Sequence, residues 1–215
     1  MKPLTNLITL LALHSLGTAH AEQSPSPHCA CSSHAEVNIK RVDAPNVADG
    51  FVFTGSINGE DVVTAKPTEV PITQASRATV IAFLSAKCPC SASHETALKK
   101  LFEEFSPRGV QFIAIHSNLD EACDFTKAHF EKSAFPFPVI QDRSNQFADT
   151  FGALKTPHIF VIGPKGAPLF QGGIDDSHNE SEAKKHYLKD ALTSIAEGKA
   201  PPLKSVRTLG CVIKR

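Results

Sequence analysis

The chain has 215 residues, of which 41% are hydrophobic and 20% are charged. This composition is typical of a globular protein and too apolar for a disordered one. Lys and Arg together number 22, as do Asp and Glu, so the formal net charge is zero. Without a basic excess, the sequence argues against nucleic acid as a main partner and against a polybasic membrane-surface role.

The N-terminal residues have the pattern of an exported protein. A positive start, Met1-Lys2, precedes the mostly apolar stretch Leu4–Leu16, and Ala19-His20-Ala21 supplies the small-x-small pattern of a cleavage site. The apolar stretch is shorter than the ~20 residues that a membrane-spanning helix needs. We therefore predict that residues 1–21 are a cleaved secretory signal peptide, that no membrane span remains, and that the protein is periplasmic or secreted.

The remaining residues are predicted to form one domain with two extensions. Residues 22–45 carry several Pro and Ser residues with little periodicity, which predicts a flexible lead-in. The domain is placed at 46–198, and 199–215 form a C-terminal tail that contains Cys211.

Strand and helix signals alternate along the domain. The continuous apolar run Ala78–Leu84 predicts a strand buried on both faces, and an amphipathic helix follows it. Before this strand, an N-terminal β-hairpin is predicted with its turn at Asn58-Gly59. The later predicted elements are strands at Val110–Ile115 and Phe137–Ile140, helices at 120–133 and 146–151, a hairpin within 158–172, and a last helix capped by Asn179 and ended by Gly198. Alternating strands and helices predict an α/β fold with a parallel-centred sheet and antiparallel edge strands.

The six cysteines carry the main chemical signal; they are Cys29, Cys31, Cys88, Cys90, Cys123 and Cys211. Cysteines of exported proteins tend to pair in disulfides, but Cys88 and Cys90 flank Pro89 at a strand-to-helix junction, which indicates redox chemistry. Pro89 suits the first turn of a helix. A thiolate at a helix N-terminus has a lowered pKa, so Cys88 is the predicted nucleophile.

These features carry a family resemblance. The strand, the cysteine motif that opens a helix, and Thr156-Pro157 before a hairpin resemble the thioredoxin-like superfamily, and within it the redoxins related to alkyl hydroperoxide reductase and thiol-specific antioxidant proteins. The resemblance covers roughly residues 45–197. It implies a three-layer α/β/α sandwich around a mixed sheet, and a cis Pro157 that faces the Cys88 loop. It also implies that the backbone before Pro157 is free to pair with an extended substrate peptide.

The chain departs from the family's two best-known motifs. Ser91 stands where thioredoxins have their second cysteine, so the second thiol is Cys90. A disulfide between Cys88 and Cys90 would close a small, strained ring, and such strain makes the bond oxidising and easily exchanged. Alternatively, Cys90 or the tail residue Cys211 resolves a mixed disulfide on Cys88. Ile81 stands where peroxiredoxins have a proline.

Three functions remain open on the sequence. The first is an exported thiol-disulfide oxidoreductase with no organic cofactor, whose partners are protein thiols or disulfides and an electron-donating redox protein. The second is a peroxiredoxin-like peroxidase that forms a sulfenic acid on Cys88. The third is a non-enzymatic copper-binding module that resembles the copper chaperones of the same fold, and this resemblance implies Cys88, Cys90 and His158 as the candidate ligands.

Other cysteines, histidines and acidic residues are weaker candidates for a functional site. The N-terminal group of Cys29, Cys31 and His34 is a further metal-site candidate. We interpret Cys123 as a partly buried spectator, and Asp175-Asp176 with His178 as a solvated loop. His94 and His116 are the remaining histidine candidates.

Overall fold

The computed structural model describes residues 38–44 and 50–215. Four helices and a mixed central sheet make up the domain. The strands are β1 Lys40–Asp43, β2 Phe51–Thr54, β3 Ser56–Glu60, β4 Pro67–Pro71, β5 Ala78–Leu84, β6 Val110–His116, β7 Val139–Gln141, β8 Lys155–Thr156, β9 His158–Ile162, β10 Pro168–Gly172 and β11 Cys211–Val212. The helices are α1 Pro89–Phe105, α2 Cys123–Ser133, α3 Gln146–Phe151 and α4 Tyr187–Ala196.

The central sheet has five strands in the order β10-β9-β5-β6-β7. Strands β5, β6 and β7 run parallel, while β9 runs antiparallel to β5 and β10 antiparallel to β9. The α/β fold with a parallel centre and antiparallel edge is therefore confirmed. Every residue of β5 is buried, as its continuous apolar run predicted.

Side chains of β5 alternate between two apolar cores. Val80 and Leu84 pack in the core that contains the buried faces of α1 and α4, whereas Ile81 and Phe83 pack in the core formed with α3 and the N-terminal strands. Burial on both faces holds β5 rigidly at the centre of the sheet. The end of β5 is consequently a well-fixed platform for the residues that follow it.

The predicted turn at Asn58-Gly59 is wrong. Both residues lie inside β3, where they pair with Glu69 and Thr68 of β4, and the connection is formed by residues 61–66. The buried carboxylate of Asp61 accepts hydrogen bonds from backbone N–H groups of this connection at 2.8 and 3.1 Å. A side-chain-stabilised loop thus replaces the tight turn that the Asn-Gly pair indicated.

The start of the last helix also differs from the prediction. Asn179 caps a short 3-10 turn, Glu180–Glu182, and α4 begins only at Tyr187. Between them the carboxylate of Asp176 accepts hydrogen bonds from two successive backbone N–H groups, at 2.8 and 3.0 Å. Asp176 thereby stabilises a loop at the point where the pattern predicted continuous helix.

The C-terminal tail is part of the folded domain. The backbone of Gln171 exchanges hydrogen bonds with Lys204 and Val206, and β11 pairs antiparallel with β8. Ile213 is 2% exposed and belongs to the core on the α3 side. Within residues 38–44 and 50–215, no helix has both the length and the apolar character needed to cross a bilayer.

Candidate functional site

Cys88 lies between the end of β5 and the start of α1. Its backbone is extended, with φ −79° and ψ 114°, and Pro89 occupies the first helical position. Pro has no backbone N–H to leave unpaired there, so the sequence Cys88-Pro89 sets the boundary of the helix. The thiol sits at the positive end of the helix dipole and is 2% exposed.

The loop that leads to Cys88 is held by the buried carboxylate of Glu121. Its two oxygens accept hydrogen bonds from the Ser85 hydroxyl and from the backbone N–H groups of Ala86 and Lys87. His116 Nε2 lies 3.1 Å from the same carboxylate. Burial opposes ionisation of Glu121, but the hydrogen bonds from His116 and Ser85 bring its pKa below the ordinary value. The loop is therefore organised around a buried anion.

The peptide bond between Thr156 and Pro157 is cis, which confirms the sequence prediction. This peptide bond borders the thiol, as expected, since its carbonyl oxygen, that of Thr156, lies 3.1 Å from Cys88 Sγ. Thr156 is 1% exposed.

Cys211 occupies the backbone position that we expected a substrate peptide to use. It pairs with Thr156 in the β11–β8 ladder, and its Sγ lies 2.8 Å from Cys88 Sγ. Both cysteines are free thiols. The expectation of an open peptide-pairing edge before Pro157 is wrong, because the chain's own tail fills that edge.

The two neighbouring thiols, Cys88 and Cys211, differ in pKa. Burial opposes ionisation of Cys88, yet hydrogen bonding, above all to the Cys211 thiol, lowers its pKa below the ordinary value. Burial together with the hydrogen bond to Cys88 raises the pKa of Cys211 to about 12. Cys88 is therefore the more acidic thiol of the pair.

Cys90 is a third thiol of the same site. Its Sγ lies with those of Cys88 and Cys211 in a group whose sulfur atoms are all within 4.8 Å of one another. Burial and the nearby charge of Cys88 raise the pKa of Cys90. The exposed residue His178 places its Nδ1 3.4 Å from Cys90 Sγ.

A buried ion pair supports the first turn of α1. His94 Nδ1 lies 2.6 Å from the carbonyl oxygen of Cys90, and Nε2 lies 2.9 Å from Asp175 Oδ2. Since both nitrogens face acceptors, the geometry favours a doubly protonated ring. Burial opposes this charge, but the hydrogen bond to Asp175 brings the pKa of His94 above its ordinary value. Asp175 is 2% exposed, so the prediction of a solvated loop fails at this residue.

His158 does not join the thiols, contrary to the sequence prediction. Its ring packs against that of Phe160, with the centroids 4.5 Å apart and the planes tilted by 33°. Burial and the nearby charge of Lys155 lower the pKa of His158 to about 4. Among the described residues, the sulfur atoms of Cys88, Cys90 and Cys211 are the only group of three or more potential metal ligands from His, Cys, Asp or Glu that lie within 4.8 Å of one another.

Cys123, the remaining cysteine of the described residues, lies outside this group. It begins α2 and is partly exposed, with Arg143 donating to its sulfur at 2.8 Å. Cys29, Cys31 and His34 lie outside the described residues.

The sequence profile of the AhpC/TSA family matches residues 60–167, half of the chain. The chain belongs to the AhpC/TSA family. Members of this family are typically thiol-based oxidoreductases or peroxidases. The matched range contains Cys88, Glu121 and Pro157, whereas His178 and Cys211 lie beyond it.

Solved structures give the same fold assignment for this AhpC/TSA protein. An uncharacterised conserved protein from Geobacillus kaustophilus is 25% identical, with a TM-score of 0.68 over 75% of this chain and 89% of that one. A hypothetical protein from Sinorhizobium meliloti 1021 is 24% identical, with a TM-score of 0.67 over 75% and 91%. Peroxidoxin BcpB from Mycobacterium tuberculosis is 15% identical, with a TM-score of 0.52 over 67% and 94%. No curated protein matches the sequence. The fold is thioredoxin-like.

Proposed function

We propose that this protein is a thiol-disulfide oxidoreductase in which Cys88 is the nucleophile and Cys211 the resolving cysteine. The observation that carries the proposal is the 2.8 Å separation of their two sulfur atoms. The ring that Cys88 and Cys90 would form is strained, whereas Cys211 reaches Cys88 from a separate segment. Cys211 is thus the better placed of the two candidate resolving thiols.

Exchange proceeds in two steps. The Cys88 thiolate attacks a substrate disulfide, a bond forms between the Cys88 sulfur and one substrate sulfur, and the other substrate sulfur leaves as a thiolate. Cys211 transfers its proton to that leaving thiolate and attacks the Cys88 sulfur, which releases the second substrate sulfur. The substrate gains two electrons and the one proton of Cys211, its second sulfur leaves as a thiolate that takes a proton from water, and Cys88 and Cys211 become a disulfide. A dithiol redox partner then restores the two thiols.

The pKa difference within the pair suits this order of events. The pKa of Cys211 is raised by burial, by its hydrogen bond to Cys88 and by the charge of Cys88. Once Cys88 is bound to substrate, its charge is gone, so the last two causes disappear and Cys211 ionises more readily. Cys211 is therefore held as a proton donor until the mixed disulfide forms.

Ser85 argues for exchange over peroxide reduction. Its hydroxyl donates to Glu121 and accepts the backbone N–H of Cys88 at 3.1 Å. A hydroxyl has one proton to give, so that of Ser85 is already used and cannot assist a peroxide at Cys88. With Ile81 at the position of the peroxiredoxin proline, this favours disulfides as substrates.

We further propose that the protein is exported. Residues 1–21 have the charge, length and small residues of a secretory signal, which would bring the thiols to an oxidising compartment where substrates with disulfides occur. Protein disulfides and an electron-donating partner are the corresponding partners.

Disulfide mapping tests the assignment. Reduced protein is treated with a small disulfide, quenched with acid and mapped by mass spectrometry, and insulin reduction and peroxide consumption are measured in parallel. We expect a Cys88–Cys211 disulfide, no insulin reduction by Cys88→Ser, and a trapped mixed disulfide on Cys88 in Cys211→Ser. A Cys88–Cys90 disulfide, or peroxide consumption faster than disulfide reduction, would overturn the proposal.

A further inference from the structure

The three thiols of the site come from two segments that are far apart in the sequence. Cys88 and Cys90 lie on either side of Pro89 where α1 begins, and Cys211 is carried by the tail. Their sulfur atoms are mutually within 4.8 Å, and Cys88 and Cys90 are buried. The proposed disulfide exchange uses only Cys88 and Cys211, so it gives no role to Cys90, the third thiol of the cluster.

The spacing of the sulfur atoms is suited to a shared metal ion. A metal–sulfur bond of about 2.3 Å places the ligands of a planar three-coordinate site about 4 Å apart. Cys88 Sγ and Cys211 Sγ are closer than that, at 2.8 Å, and the sulfur of Cys90 lies within 4.8 Å of both. Binding one ion would require the sulfurs of Cys88 and Cys211 to separate by about 1 Å, and Cys211 is partly exposed.

The number and chemical type of the ligands indicate which metal ion the site would bind. Thiolates are soft ligands and favour Cu(I) over harder cations, and Zn(II) prefers four ligands in a tetrahedron. No fourth donor belongs to the group within the described part of the chain. His178 Nδ1, although 3.4 Å from Cys90 Sγ, lies outside that group and contacts the sulfur from the exposed side.

We propose that Cys88, Cys90 and Cys211 form a three-coordinate thiolate site for Cu(I). Cys90 supplies the ligand that exchange does not need, and His178 contacts its sulfur as an outer-shell partner. The backbone pairing of Cys211 with Thr156 holds the tail in position, so the site is assembled when the tail is docked. The ligand set differs from the one expected on sequence, in which His158 stood in place of Cys211.

The proposal does not rest on the function proposed above, and the two fail separately. Copper binding is measured on the reduced protein and requires all three thiols. Disulfide exchange is detected by the Cys88–Cys211 disulfide of the oxidised protein. Absence of that disulfide leaves copper binding unaffected, and absence of copper binding leaves the disulfide map unaffected.

The experiment is an anaerobic Cu(I) titration of the reduced, full-length protein in competition with a chromophoric chelator. Cys29 and Cys31 are replaced by Ser in every sample, so that the N-terminal thiols do not bind the metal. We expect one equivalent of Cu(I) and a loss of affinity of about a hundredfold or more in each of Cys88→Ser, Cys90→Ser and Cys211→Ser. Cys123→Ser is the matched control and should bind as the parent does.

X-ray absorption supplies a readout that does not depend on affinity. Three sulfur neighbours and no nitrogen neighbour are expected around the copper, and circular dichroism shows that each variant is folded. Affinity that is unchanged in the Cys90→Ser or Cys211→Ser variant, a two-coordinate copper, or preferential binding of Zn(II) with a nitrogen ligand would overturn the proposal.

Discussion

Cys211 lies directly opposite Thr156 in the short antiparallel pairing of β11 with β8, beside the cis peptide bond. The tail therefore docks by backbone hydrogen bonding at the edge that borders the thiols. Ile213 N–H continues the docking by donating to the carbonyl oxygen of Leu154 at 3.0 Å. Access to Cys88 and the position of its thiol partner are consequently controlled by one segment.

The docking should depend on Gly210. Its φ is +146°, and a Cβ there would lie 2.1 Å from the carbonyl oxygen of Thr156. We expect Gly210→Ala to detach the tail, so that hydrogen exchange of the Ile213 amide accelerates by about tenfold or more while amides of β5 are unaffected. Gly152→Ala is the control, since that position also has a positive φ, +71°, but no atom within 4 Å of the added Cβ. Equal exchange rates in the two variants would count against this role of Gly210.

Cys88 should be the most reactive thiol, and its acidity should depend on Cys211. Removing a donor to a thiolate disfavours the charged form, so Cys211→Ala should raise the pKa of Cys88, while Cys211→Ser retains a hydroxyl donor and should raise it less. The measurement is the pH dependence of alkylation at Cys88, mapped by mass spectrometry. Faster labelling of Cys123 than of Cys88, or an unchanged midpoint in Cys211→Ala, would contradict the assignment.

Glu121 should position the Cys88 loop through its charge. Glu121→Gln keeps the size of the side chain but loses an acceptor for the bonds from Ser85, Ala86 and Lys87, so we expect a loss of about 2–3 kcal/mol of unfolding free energy at neutral pH. Because the pKa of Glu121 is lowered in the folded state, this contribution is present above the ordinary Glu pKa and is lost as the pH falls through the folded value.

Denaturant unfolding at about pH 7 and about pH 3 measures the effect of Glu121→Gln. The difference from the parent protein should shrink at the lower pH. Glu103→Gln, at an exposed position on α1, is the control and should differ little from the parent at either pH. A Glu121→Gln variant as stable as the control at neutral pH would show that the loop does not need the anion.

The His94–Asp175 pair should stabilise the protein most at acidic to neutral pH. The pKa of His94 is raised in the folded state, so its contribution is complete below the ordinary His pKa and is lost as the pH rises through the folded value. His94→Gln should cost about 3 kcal/mol near pH 6 and distinctly less near pH 9. Parallel urea titrations of the two proteins measure this, and a cost that grows with pH would refute the charged assignment.

The mature protein should begin at Glu22. Ala19-His20-Ala21 is the best-placed cleavage pattern after the apolar stretch, so the intact mass of exported protein should lack residues 1–21. A mass that still includes them would contradict the signal prediction. Replacing Ala19 and Ala21 by bulky residues should block the cleavage and serves as the control.

The parts of the site that the sequence predicted are those set by local rules. A buried strand, a proline at the first helical position and a cysteine between them are sufficient to place Cys88 at the start of α1. The cis bond of Pro157 followed from the resemblance. Such features depend on a few neighbouring residues or on a shared motif, and the structure agrees with them.

The parts that the sequence leaves open or does not predict depend on contacts between distant segments: Cys211 is one of two candidate resolving thiols on the sequence, and Glu121 is not predicted. Glu121 reaches the Ser85 loop across 36 positions of the sequence, and Cys211 meets Cys88 across 123. Periodicity and turn patterns carry no information about such pairs. The only sequence signals were an acidic residue shortly after β6 for Glu121, and for the tail a cysteine that follows the flexible residue Gly210.

The distribution of the three thiols along the chain affects how related genes are sorted by function. The family profile ends at residue 167, and Cys211 lies beyond it. A stop codon anywhere from position 168 to position 210 would leave the whole profile-matching region intact while removing one of the thiols. Two genes that match the family equally well can thus differ in this thiol, and the codons beyond the matched region are where they should be compared.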